Sequence, residues 1–264
     1  MKSKGPKVLL VDIETAPMLG YVWSLWENNV SLDQLYKDWH ILSWSAKWLN
    51  EKKVMYADQR NCKDITDDKK ILMQVWRLLD QADIVITQNG RSFDHKKLNA
   101  RFILQGLKPP STYKHIDTMR IAKKHFAFTS NKLEYMSNNL CSKYTKMKSK
   151  KFPGFSMWLE CLAGNKKAWD EMEKYNKYDV LALEELYYKL IPWDSSVNFN
   201  LYTDTTEMIC TCGSKDFHSN GHAYTSTGKF KRYRCAKCGA EVRGKKNVFT
   251  KDKKKSLKTG TSRS

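Results

Sequence analysis

Two carboxylates one residue apart close an apolar run near the N-terminus, Lys7-Val-Leu-Leu-Val-Asp12-Ile-Glu14. The run reads as a buried strand. Side chains alternate along a strand, so Asp12 and Glu14 share one face and Ile13 takes the other. Like charges at a buried strand end repel and are costly to desolvate. A divalent cation such as Mg²⁺ or Mn²⁺, which prefers hard oxygen ligands, removes that cost. The competing reading is a strand that runs out into solvent, with Asp-Ile-Glu-Thr opening a loop.

Two further acids extend the pattern. Asp94, in Gln-Asn89-Gly-Arg-Ser-Phe-Asp94-His, starts a helix just beyond a strand end. Asp in a first helical turn is ordinary capping chemistry, yet the end of a buried strand is where α/β sheets place their sites. Asp179 lies four residues after Tyr175, on one helix face that Leu183, Leu186 and Leu190 continue. An Asp on an apolar stripe needs a partner. A metal would supply it; the alternative is a surface Asp among Lys174 and Lys177.

A separate cluster comes late: Cys210-Thr-Cys212-Gly, then Cys235-Ala-Lys-Cys238-Gly. The second half is the Cys-x2-Cys-Gly knuckle of a zinc ribbon. The first is one residue short, so either Cys210 reaches through a tightened turn or His218 or His222 completes the set. One structural Zn²⁺ would supply the folding energy of so small a module. Between the knuckles, Lys229, Lys231, Arg232 and Arg234 alternate with Phe230 and Tyr233, a composition suited to tracking phosphates and stacking bases. Docking another protein is the alternative role.

The elements that must position these groups come from periodicity. Ile41–Leu49 and Lys53–Ala57 form a hairpin beside the first strand, an antiparallel half-sheet. Asp67 or Asp68 caps a helix bearing Ile71, Leu72, Val75, Leu78 and Leu79. Asp83–Thr87 is a buried strand and Asn89–Ser92 a turn. Phe93–Gln105 is a helix with Leu98, Phe102 and Ile103 inward, closed by Gly106. Tyr113–Asp117 is a short strand, with Asp117 capping the helix that begins at Thr118. Helices then span 118–126, 131–143, 156–163 and 166–190. Lys143–Lys151, with five lysines, reads as an exposed loop. Between the first strand and the hairpin lies an aromatic insertion with Tyr21, Trp23, Trp26, Tyr36 and Trp39, and a short helix around Ser31–Lys37. Its rings could stack the terminal bases of a single strand or bury themselves in the core. The fold class is α/β, a mixed five-stranded sheet flanked by helices.

Asp-x-Glu, then Asp94 after Asn89, then Tyr175-x3-Asp179 resembles the DEDD superfamily of 3′–5′ exonucleases, in its Tyr-containing branch. The ending Leu-Tyr-Tyr-Lys-Leu-Ile-Pro-Trp followed by a zinc ribbon resembles a phage and bacterial subgroup of it. The resemblance implies an RNase H-like fold over about residues 7 to 192 and two Mg²⁺ or Mn²⁺ ions. Asp12 would bridge them, Glu14 and Asp179 would complete one, and Asp94 would hold the second through waters. Tyr175 would orient the attacking water, and the products would be nucleoside 5′-monophosphates. Asn89 would contact substrate or buttress its loop.

Charge fits such a substrate. Forty-seven Lys and Arg against 28 Asp and Glu give +19, which favours a polyanionic partner. Seven basic and three acidic residues lie in Thr205–Gly244, and eight basic and one acidic in Lys245–Ser264. The expected layout is a nuclease domain over 1–192, a linker over 193–205, a zinc ribbon over 206–244 and a disordered basic tail over 245–264. The odd cysteine count suits a reducing, cytoplasmic setting, such as a nucleoid or a phage-infected host. The N-terminus does not read as a signal peptide, and no apolar run approaches a membrane span. The expected activity is metal-dependent 3′–5′ cleavage, of single-stranded DNA before RNA. An inactive nucleic-acid-binding relative is the rival reading, but it should lack one of the acids.

Overall fold

The computed structural model describes residues 5–26, 29–147 and 149–260. The chain separates into two compact units, Pro6–Lys189 and the residues from Leu190 onward together with Gly5. In chain order the first unit holds β1 (Val8–Thr15), β2 (Leu19–Gly20), β3 (Leu35–Lys37), β4 (Ile41–Trp48), β5 (Met55–Asp58), α1 (Lys69–Asp80), β6 (Ile84–Thr87), α2 (Asp94–Leu104), β7 (Lys114–Asp117), α3 (Thr118–His125), α4 (Leu133–Leu140), α5 (Ser156–Leu162) and α6 (Lys166–Leu190).

The main sheet has the order β5-β4-β1-β6-β7. β1 runs antiparallel to β4 and parallel to β6, so the expected mixed five-stranded sheet is what forms. One face, with Leu9, Val11, Ile13, Trp44 and Val85, packs on α1 and α2 through Ile71, Leu72, Val75, Leu98 and Phe102. The other face carries Leu10, Asp12 and Glu14, by alternation. Helix α6 crosses it, tied by Lys47 Nζ to Glu184 (2.5 Å) and by Ser43 Oγ donating to Asn176 Oδ1 (3.1 Å).

Register explains why β1 ends as it does. β6 pairs only with Val8–Leu10, whereas β4 pairs with β1 through Thr15. The last residues of β1 therefore overhang β6 and leave a free edge, and unpaired backbone donors there need a partner. α2 starts at that edge.

Several elements depart from the sequence reading. Asp68 stands at the start of α1, but its side chain makes no cap. It takes a two-pronged ion pair from Arg101, with both N–O distances 2.7 Å, and the Ile41 N–H at 2.9 Å. A bidentate guanidinium is a stronger partner than a helix N–H. The end of α1 is served by Asp67, whose Oδ1 accepts from Lys69 N–H. Ile103 faces solvent, because the buried stripe of α2 is Asp94, Leu98 and Phe102 at steps of four and Ile103 lies a further 100° round. Within Ser31–Lys37 only Leu32–Gln34 turns, as a 3₁₀ segment; Leu35–Lys37 is extended and pairs with β2.

The second unit contains a three-stranded sheet of order β10-β9-β8, built from β8 (Phe217–Thr225), β9 (Gly228–Cys235) and β10 (Glu241–Asn247), with α7 (Lys251–Ser256) after it. The basic stretch from residue 245 is thus ordered at first. Val248 N–H bonds Lys229 O, and the Thr250 hydroxyl caps α7 at Lys253 N–H. Lysine-rich composition does not prevent an edge strand, where such side chains stay solvated.

Candidate active site

At the end of β1, Asp12 and Glu14 meet Asp179 of α6. One carboxylate oxygen from each lies within 4.8 Å of the others. α6 delivers Asp179 at 2% exposure on the stripe with Leu183 and Leu186. The neighbouring Asn176, fully buried, donates its amide N–H to Asp12 Oδ2 at 2.5 Å and is itself fixed by Ser43. That residue escaped the sequence reading. Its only sign was a polar side chain three positions before Asp179, on a face otherwise apolar.

Asp94 enters from the opposite side of the sheet, round the free edge. Its Oδ1 accepts the Ile13 N–H at 3.1 Å, so the carboxylate supplies the partner β1 lacks there. It is not among the three acids that converge most closely, but its charge raises the pKa of both Asp12 and Glu14. The turn before it is tightly built. Asn89 adopts φ +63°, its N–H bonds Asp117 Oδ1 at 2.9 Å, and a Cβ on Gly90 would fall 2.2 Å from Thr87 Oγ1. Asp117 also caps α3 at Met119 N–H. The Asn89 backbone and the Asp117 carboxylate thus brace the turn that precedes Asp94.

These acids titrate abnormally. Burial, then Asp179, Asp94 and Glu14, push Asp12 well above the carboxylate range. Burial and Asp179 push Glu14 to about 8, against the pull of Lys146. Burial takes Asp94 to about 7, although its own N–H and that of Ile13 oppose it. Asp179 is raised by burial, with Lys146 opposing. Repulsion and desolvation of this kind mark a cluster arranged to receive positive charge.

Part of that charge comes from the chain itself. The loop that reads as exposed sends Lys146 inward, while Lys148 lies outside the described residues. Lys146 Nζ is 2.7 Å from Asp179 Oδ2 and 4.7 Å from the centre of the Tyr175 ring. The pKa of the Tyr175 phenol is raised by burial, Asp179 and Glu14, with Lys146 opposing, so it stays protonated. Trp158 of α5 stands beside Glu14, where it eases the carboxylate's ionisation, and packs edge-on against Tyr175, with ring centres 5.9 Å apart. One lone pair remains unmet: Asp179 Oδ1 is buried without a hydrogen-bond partner. A pocket of hard oxygens with an orphaned acceptor and more negative charge than one lysine can balance fits a divalent cation.

In the second unit, Cys210, Cys212, Cys235 and Cys238 also converge within 4.8 Å. The Sγ–Sγ distances are 3.5 Å for Cys210–Cys238 and 3.7 Å for Cys212–Cys235. Four sulfurs about 2.3 Å from a tetrahedral Zn²⁺ would stand about 3.8 Å apart. The short Cys-x-Cys does reach, through a turn in which Gly213 N–H bonds Cys210 O with Gly213 at φ +84°, so neither His218 nor His222 is needed. Burial opposes ionisation of Cys235, yet the N–H groups of Cys238 and Lys237 bring its thiol down to about 7. The basic residues of β9 do not form one surface. Alternation puts Lys229 and Lys231 on one face and Arg232 and Arg234 on the other. Arg232 donates to Asn220 O and Arg234 to Gly239 O.

Comparison with known proteins agrees with this architecture. A family model for the RNase H superfamily matches residues 34–191, more than half of the sequence. The chain belongs to the RNase H superfamily. Its match begins beyond β1, so Asp94, Tyr175 and Asp179 lie inside it and Asp12 and Glu14 precede it. Among solved structures, the superfamily member resembles the family B DNA polymerase of the hyperthermophilic archaeon Pyrobaculum calidifontis, at 13% identity and a TM-score of 0.51. The alignment covers 71% of this chain but 25% of the polymerase, so it speaks to fold alone. No curated protein matches. Among the described residues, no helix is long and apolar enough to cross a membrane.

Proposed function

We propose that this RNase H-like protein is a metal-dependent 3′–5′ exonuclease of the Tyr-containing DEDD type, acting on single-stranded DNA ends in preference to RNA. The observation that carries the reading is the convergence of Asp12, Glu14 and Asp179 within 4.8 Å at the end of β1, with Asp94 beside them. Asp12, Glu14 and Asp179 would hold one Mg²⁺ or Mn²⁺, and Asp94 would join Asp12 in holding a second. When bound, such ions activate a water nucleophile and neutralise charge on the leaving 3′ oxygen.

The chain's own groups do the rest. Asn176, anchored by Ser43, fixes the rotamer of Asp12. Trp158, beside Glu14, eases that carboxylate's ionisation. Tyr175, kept as the neutral phenol, orients the attacking water by hydrogen bonding rather than by taking its proton, since a raised phenol pKa makes its conjugate base scarce. Lys146 places a positive charge beside Asp179 where a phosphate would approach. Cleavage would release nucleoside 5′-monophosphates. In the second unit, the four cysteines would hold one structural Zn²⁺ and thereby fold a ribbon whose Lys229 and Lys231 contact phosphates.

Digestion of a 5′-labelled single-stranded DNA and its RNA counterpart, with Mn²⁺, Mg²⁺ or EDTA, tests this. The expected result is a metal-dependent ladder shortening from the 3′ end, faster on DNA and absent for Asp12→Ala. Tight binding without a ladder on either strand would overturn it.

A further inference from the structure

The insertion between β1 and β4 is left without a role by the carboxylate chemistry. It leaves the sheet at Ala16, two residues after Glu14, and returns at His40. Its stem is pinned where Ala16 N–H bonds His40 O at 2.8 Å, and both residues are buried. Above the stem, β2 and β3 form a two-stranded ribbon. Tyr21 N–H bonds Gln34 O, and the Gln34 amide returns to Tyr21 O. The Tyr21 and Tyr36 rings meet edge-on at 5.7 Å. This is a built element, tied at its base and cross-braced at mid-height.

What it displays is unusual. Ten of the 23 exposed large apolar side chains among the described residues fall within Met18–Tyr36. Trp23 is 98% and Trp26 83% exposed. Scattered exposed apolar residues mean little, but a cluster of this density marks a contact surface. From Met18 to Trp26 there is no charged residue, so the tip is not a phosphate contact. Uncharged, projecting indoles suit flat, apolar, sequence-independent partners, and the faces of unpaired bases are such partners. The flap's root also stands at the end of the strand that carries Asp12 and Glu14.

We propose that Trp23 and Trp26 form a base-stacking surface that captures unpaired nucleobases of a single strand next to the carboxylate site. The inference rests on the nuclease reading for its choice of ligand. Each stacked base is worth roughly tenfold to a hundredfold in affinity.

The test is binding, carried out with the full chain in an Asp12→Asn background so that no strand is consumed. The ligands are a fluorescent oligothymidylate and an abasic strand of equal length. The Asp12→Asn protein should prefer the strand with bases by at least tenfold, and Trp23→Ala/Trp26→Ala should abolish that preference while leaving the abasic strand's affinity in place. Trp23→Phe/Trp26→Phe, which keeps a ring, should restore most of it. Unchanged preference in the alanine variant would overturn the proposal, as would self-association of the parent protein that the alanine variant loses while its oligothymidylate affinity stays intact. Absence of cleavage by the parent protein, with the base preference present and Trp-dependent, would sink the nuclease reading and leave the flap standing.

Discussion

Lys146 Nζ sits 2.7 Å from Asp179 Oδ2, while Asp179 Oδ1, on the same carboxylate, is buried without a partner. One tethered ammonium thus serves a cluster of three converging acids and satisfies only part of it. Asp179 and Tyr175 raise the lysine's pKa, outweighing a burial effect that alone would lower it. The lysine is best understood as an internal cation that makes the metal-free fold tolerable.

Lys146→Met should therefore destabilise the metal-free protein. Breaking a fully buried pair costs about 3–5 kcal/mol. Lys146 keeps 27% of its side chain exposed, so about 1–2 kcal/mol is expected, or a melting temperature lower by about 2–8 °C in EDTA. Mn²⁺ should recover most of the difference. Equal melting of variant and parent in EDTA would show that the ion pair contributes nothing.

Asp12→Asn separates catalysis from folding. The Asn176 amide can still meet the new side chain through its oxygen, and one repelling charge is gone. Melting in EDTA should be unchanged or higher. Cleavage should fall on the order of a thousandfold, because charge stabilisation worth several kcal/mol is lost. Retained turnover would remove Asp12 from the catalytic set.

The sheet and the acid pattern were legible because each rests on local periodicity: alternation in β1, steps of four in α6, a Cys-x2-Cys knuckle. What was not legible depends on which partner a side chain chooses across the fold. Asp68 has the sequence context of a helix cap and yet pairs with Arg101, 33 residues away. Lys146 sits in a lysine-rich segment that looks solvated and yet points at Asp179. Asn176 and Ser43 are 133 residues apart, and nothing local announces that they meet behind Asp12. The ribbon's basic residues look like one surface by composition, because composition carries no face; the strand pleat divides them.

Asp68 offers a stability test remote from the cluster of Asp12, Glu14 and Asp179. It is fully buried and holds Arg101 and the Ile41 N–H. Asp68→Ala strands both of these and the Gln105 amide, which donates to Oδ1 at 3.2 Å, and should cost about 3–5 kcal/mol in urea unfolding. Asp68→Asn, which keeps an acceptor, should cost less. A loss under about 1 kcal/mol for the alanine variant would mean that water replaces the carboxylate.

The division of β9 predicts different consequences for its basic residues. Lys231 is exposed, and Lys229→Ala/Lys231→Ala should weaken binding to single strands and flatten the dependence of log affinity on log salt by about 0.7 per lost phosphate contact. Arg232→Ala removes the bond to Asn220 O and the 3.6 Å contact to Glu241. It should loosen the ribbon, read as faster Zn²⁺ loss to a chelator. An identical salt slope in the lysine variant would assign this face to something other than nucleic acid.

His115 gives the fold a pH dependence with a defined sign. Burial, and then the neighbouring His95, lower its pKa from 6.5 to about 4, while its Nε2 stays 2.8 Å from Thr87 Oγ1. The unfolded chain takes up the proton near 6.5 and the folded one resists until about 4. Stability associated with this residue is therefore complete above pH 6.5 and is lost as pH falls from there through 4, by on the order of 2–3 kcal/mol. The site carboxylates have raised values and pull the opposite way in metal-free protein, so the informative quantity is a difference. The urea midpoint of His115→Gln, compared with the parent at about pH 7 and again at about pH 5, should show the variant losing less on acidification. Equal losses in the two proteins would mean that burying this imidazole carries no proton-linked penalty.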